Sequence, residues 1–132
     1  MKRFLLTLAA ACLLLASCSS RAREQAAAAY APNLYFSNAR LSASENFAGQ
    51  TIHYIAIEVQ NRGPRAVSHL EVMLTFRNSQ GQVVLSERAT AISPRVRPLG
   101  AGEKRPFRLG FDPPPDWNFR SPEVGIARLV LD

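Results

Sequence analysis

The chain has 132 residues, with 16 Lys and Arg against 10 Asp and Glu for a formal charge of +6, and only two cysteines and two histidines. That length holds one domain of about a hundred residues, which excludes a multidomain architecture. So few thiols and imidazoles argue against a zinc or copper centre, which needs three or four converging ligands.

At the amino terminus Lys2 and Arg3 precede an apolar run from Phe4 to Leu15, broken only by Thr7. This is the composition of a secretory leader, and the run is shorter than the roughly 20 apolar residues that cross a bilayer. Leu15-Ala16-Ser17-Cys18 follows at once. With the basic and apolar stretches before it, it resembles the lipobox of bacterial lipoproteins. The resemblance implies that residues 1–17 are removed, that Cys18 is lipidated, and that the chain is tethered stably, since two or more acyl chains hold where one does not. Ser19 stands where an inner-membrane retention signal would place Asp, so the same resemblance implies the outer membrane, facing the periplasm.

On this reading Cys12 is discarded with the leader and Cys18 is capped by lipid, which leaves no thiol for a disulfide, a metal or a nucleophile. Lys2 and Arg3 also go, so the remaining charge is mildly basic and Lys104 is the only lysine left. Arginine suits bidentate contact with phosphate or carboxylate. Compartment argues against nucleic acid and leaves anionic lipid, a cell-wall component or an acidic protein surface.

Residues 18–32 read as the lipidated cysteine and a flexible tether: Ser19-Ser20, the charged Arg21-Ala22-Arg23-Glu24, then alanines to Ala29. So short an alanine run is a marginal helix alone in water. From Leu34 onward the apolar period is two. A first strand is expected around Tyr35–Ala43. A second spans Thr51–Gln60, with Ile55, Ile57 and Val59 on one face. Asn61-Arg62-Gly63-Pro64 ends it. Val67–Arg77 places Leu70, Val72, Leu74 and Phe76 inward, and a turn at Asn78–Gly81 joins it in a hairpin to Gln82–Ile92, with Gly81 supplying a positive φ. After a Pro-rich connection come Arg105–Phe111, with Phe107, Leu109 and Phe111 on one face, and Val124–Leu131, apolar on both faces apart from Arg128, as in a covered strand. Short strands with Gly and Pro turns and no amphipathic helix between them predict residues 33–132 as an all-β, immunoglobulin-like antiparallel sandwich of about seven strands.

The series Glu58-Val59-Gln60-Asn61-Arg62-Gly63, Val72–Phe76, Asn78–Val84 with its central Gly81, and Gly102-Glu103 followed by Phe107 resembles FxLYD-type and related bacterial domains of unknown function. It covers roughly Thr51 to Phe111, and Gly100-Ala101-Gly102-Glu103 stands where that family has Pro-Gly-Glu. The resemblance implies an immunoglobulin-like fold and an envelope location. Its motifs mark turns and core positions.

Chemistry-bearing motifs are few. There is no Gly-x-Ser-x-Gly elbow, no His-Glu-x-x-His and no Gly-rich phosphate loop before a helix. His69 and Met73 share the outward parity of one strand about 13 Å apart, too far to meet on one ion, and His53 has inward parity at a strand start. Glu103 and Asp112 read as solvated turn-end charges. Two surface features remain. Arg95, Arg97, Lys104, Arg105 and Arg108 cluster around one loop, as a basic patch or as a solvated rim. Pro113-Pro114-Pro115-Asp116-Trp117-Asn118-Phe119 is a rigid extended entry to two aromatics. Trp117 there either plugs the open end of the sandwich or, with Phe119, anchors a partner. The expectation is a membrane-anchored, non-enzymatic binding or assembly module with no cofactor and no metal. The alternative is a periplasmic small-ligand or metal carrier that uses the sandwich end near His69 and Met73.

Overall fold

The structure, a computed structural model, describes residues 19–132. The expected leader and Cys18 lie outside the described residues. The described part of helix α1 covers residues 19–30, and a 3-10 turn follows at Ala31–Asn33. Six strands complete the chain: β1 (Leu34–Glu45), β2 (Thr51–Asn61), β3 (Val67–Arg77), β4 (Val83–Ile92), β5 (Lys104–Phe111) and β6 (Glu123–Leu131). They form two antiparallel three-stranded sheets, β1-β2-β5 and β4-β3-β6.

The period-two pattern sets the core. Ile55, Ile57 and Val59 of β2 are at most 2 % exposed, and Leu70, Val72, Leu74 and Phe76 of β3 are fully buried. These two central strands face one another, because a strand whose alternate residues are apolar must bury that face against a second layer. Leu109 and Phe111 of β5, Leu129 of β6, Ile92 and Leu99 close the cluster.

Three expectations are corrected. Among the described residues the strands number six, not about seven: residues 93–103 contribute only an isolated bridge between Leu99 and Val67, because Pro94 and Pro98 cannot donate to a ladder. Residues 19–30, expected as a flexible spacer, are helical, and Tyr30 at the end is buried. Alanine has the highest helix propensity, and docking Tyr30 supplies the tertiary energy that an isolated helix of this length lacks. Finally β6, expected to be well covered, is an edge strand paired with β3 alone, with Val130 exposed.

Two turns share one construction. Asn78 caps its own turn: its Oδ1 accepts from the backbone N–H of Gln80 and Gln82, and its Nδ2 donates to Gln82 Oε1. Asn46 does the same with Ala48 and Gln50. Gly49 and Gly81 sit at the same turn position with φ of 77°, where a residue with a Cβ would be strained. The signal is the spacing Asn-x-x-Gly-Gln, present at residues 46–50 and 78–82.

Candidate functional site

The expected functional residues fall at opposite ends of the sandwich. At one end stand the start of β1, the end of β2 and the start of β5, where Leu34 pairs with Asn61 and Gln60 with Lys104. At the other end stand both Asn-x-x-Gly-Gln turns and the residue 112–122 loop.

At this second end the three prolines carry the chain off β5, and Trp117 folds back over the core. It is only 5 % exposed. Its ring meets Phe76 and Phe111 edge-on, at 5.5 Å centroid separation in each case, the favoured aromatic geometry. Its Nε1 donates to the Arg120 carbonyl, so the one polar atom of the plug is satisfied. Trp117 is therefore buried as a plug, packed against the core aromatics Phe76 and Phe111.

Phe119 is the opposite case. Two residues on, it is 72 % exposed, holds a φ of 59° and packs at a tilt against Trp117, 5.1 Å between ring centroids. A bulky residue with positive φ is a backbone outlier, and such strain persists only where the surroundings impose it. They do so here through Asn118, whose N–H donates to the Arg77 carbonyl, whose Nδ2 donates to the Asn78 carbonyl, and whose Oδ1 accepts from Arg120 N–H. Phe47, at the tip of the first Asn-x-x-Gly-Gln turn, is fully exposed at the same end. Asn118 and Arg120, the neighbours of Phe119, line a polar cleft of about 460 Å³ with Thr75, Arg77 and Glu123 among others.

The basic cluster does not form one patch. Arg97 makes two hydrogen bonds to the Glu103 carboxylate, at 2.8 and 2.9 Å, and Arg105 Nε adds a third at 2.9 Å. Arg105 also donates to the Arg97 and Pro98 carbonyls. These two arginines are spent folding their own loop around Glu103. Arg108 lies over the Tyr54 ring at 4.5 Å. Arg95 and Lys104 point to solvent, so the five cations are splayed.

The Glu103 carboxyl is held at about 2, first by the Arg97 hydrogen bond, then by the Gly100 N–H and by Arg105, against an opposing effect of burial. The same contact raises Arg97. A carboxyl lowered in the fold contributes stability above its ordinary value of 4.5, and loses it as pH falls towards about 2. Melting temperature is thus expected to drop through that window in the native chain and to drop less in Glu103→Gln. Parallel pH profiles for the two would show that the Glu103 cluster does not hold the loop.

At the first end is a polar knot not expected from the sequence. Asn61 is fully buried. Its Oδ1 accepts from the Tyr30 hydroxyl at 2.7 Å and from Gly63 N–H, and its Nδ2 donates to the Arg65 and Leu99 carbonyls. The Tyr30 hydroxyl also accepts from Arg65 N–H. Gly63 is required, since a Cβ there would overlap the Tyr30 ring and hydroxyl. The only signal was one aromatic at the close of an alanine run.

His69 Nε2 is buried without a hydrogen bond and lies 3.5 Å from Glu71 Oε1. Met73 is opposite Arg88 and Gly125. Among the described residues no three His, Cys, Asp or Glu converge, and no helix is long and apolar enough to cross a membrane. Glu103 and Asp112 lie at opposite ends of β5, about 30 Å apart along an extended strand. Comparison with protein families, with characterised proteins and with solved structures returns no match.

Proposed function

We propose that this protein is a lipid-anchored envelope module with an immunoglobulin-like fold that docks a partner through the Phe119 end of its sandwich. The observation that carries the docking reading is Phe119 itself: an aromatic held in solvent, at a strained backbone angle, on the rigid support of Trp117. Exposed aromatics set on rigid elements are the usual anchors of interfaces.

The strand order supports the fold. β1, β2 and β5 stand as strands A, B and E of an immunoglobulin-like sandwich, and β4, β3 and β6 as C′, C and F. The resemblance of Thr51–Phe111 to FxLYD-type domains points the same way. Anchoring rests on the lipobox at Leu15–Cys18. Residues 19–30 of α1 span about 18 Å at 1.5 Å per residue and are locked to the sandwich through Tyr30 and Asn61. The tether is thus a strut. The outer membrane, facing the periplasm, is the proposed location, with an envelope protein or an anionic cell-wall or lipid component as partner; nucleic acid is not among them.

Cys18→Ala is expected to move the chain from the membrane to the soluble fraction and to abolish uptake of labelled fatty acid. A native chain that takes up no label would remove the anchor from this reading. Phe119→Ser is expected to change unfolding free energy by less than about 1 kcal/mol while lowering recovery of the envelope partner.

A further inference from the structure

A second surface, independent of Phe119, lies along β6. Each sheet has two edges, and three of the four are closed off. β4 and β5 abut one another across the sandwich. The β1 edge is broken between Ser37 and Arg40, where Asn38 takes a φ of 54°, and bulges of this kind blunt an edge against pairing. β6 is left, at the position where an immunoglobulin-like sandwich carries one more strand.

The direction of its free backbone groups follows from two bonds. The Val130 carbonyl accepts from Ser68 Oγ, and Asp132 N–H donates to the Ala66 carbonyl, so both residues face β3. Strand residues alternate sides. The N–H and C=O of Leu129 and Leu131 therefore face away from β3. A bulge at Ala127, where Glu71 pairs with Arg128 but Val72 with Ile126, confines the straight edge to Arg128–Leu131.

That edge opens into a groove of about 940 Å³, walled by Ile126–Leu131 on one side and by α1 on the other. The alanines at 26–28 leave the space open. Its rim is cationic: Arg23, Arg65, Arg88 and Arg128 line it against a single acid, Glu24. Arg65 is engaged with the Asp132 carbonyl and Arg88 lies 3.8 Å from Glu71. Arg23 and Arg128 have no ion pair among the described residues.

We propose that this groove accepts an extended, acidic segment of a partner protein, which adds to β6 as a further strand. The unpaired Leu129 and Leu131 groups supply the main-chain hydrogen bonds, and the arginines select carboxylates on alternate residues of the incoming strand. An anionic lipid would satisfy the arginines but leave the strand edge unpaired.

The test pans the full chain, immobilised in detergent, against a phage library of random dodecapeptides. Enriched sequences are expected to alternate acidic with β-branched or aromatic residues. A synthetic peptide of that sequence is expected to slow hydrogen exchange at the Leu129 and Leu131 amides and to bind the Arg23→Glu/Arg128→Glu variant at least about tenfold more weakly, with melting temperature unchanged. Phe119→Ser is expected to bind the peptide normally, which separates this site from the docking end. The proposal is overturned if no acidic peptide is enriched or if the enriched peptide protects other amides. Protection by phosphatidylglycerol vesicles in place of peptide would assign the groove to lipid, and protection that rises with protein concentration alone would assign it to a second copy of the chain; either result overturns the proposal.

Discussion

Trp117→Ala is expected to cost about 3–5 kcal/mol of folding free energy, the range for removing a buried large aromatic. The indole is 5 % exposed and lies edge-on to both Phe76 and Phe111, so its loss opens a cavity at the end of the sheets that the stiff Pro113–Pro115 entry cannot collapse to fill. It also frees the Arg120 carbonyl and removes the ring against which Phe119 packs. A domain of this size has about 5–15 kcal/mol in total, so denaturant unfolding should show a large fall in midpoint. Partner recovery should fall with it. A midpoint shift equivalent to under about 1 kcal/mol would mean that the loop does not pack on the core as described.

Asn61→Ala is the second large effect, and it acts at the opposite end. Removing the carboxamide strips hydrogen bonds from the Tyr30 hydroxyl, Gly63 N–H and the Arg65 and Leu99 carbonyls. Each buried group left unpaired costs about 1–3 kcal/mol, though the Tyr30 hydroxyl keeps its Arg65 contacts. The net loss is expected near 3–5 kcal/mol. Tyr30→Phe separates the parts: it deletes only the hydroxyl and should cost about 1–2 kcal/mol, while loosening α1 so that its amides exchange faster. A Tyr30→Phe variant that costs nothing and leaves α1 exchange unchanged, beside a costly Asn61→Ala, would show that Asn61 serves β2 and its loop alone, with no role in holding the strut.

What was legible in the sequence was what repeats. The alternation in β2 and β3 fixed which side chains face inward, and Ile55, Leu70, Val72, Leu74 and Phe76 are all buried. Gly81, read as the positive-φ residue of a hairpin, has a φ of 77°. Features that depend on a single residue meeting a distant partner were harder to read. Tyr30 looks like the end of a spacer until Asn61, thirty-one positions away, offers it a buried acceptor. Arg97 and Arg105 look like a surface patch because their spacing to each other is visible, whereas their shared claim on Glu103 depends on how the Pro94–Gly102 loop folds. Edge and centre are not distinguished by composition either. β6 is as apolar as a covered strand, yet pairs on one side only.

If Phe119 is a docking anchor, a single partner lies against its ring in the cell. A photo-crosslinking phenylalanine analogue at position 119, in the otherwise native chain, is predicted to give a discrete adduct in intact cells, lost in Cys18→Ala, while the same analogue at Lys104 gives none. An adduct at 104 with none at 119 would contradict the account and put the partner at the Tyr30–Asn61 end.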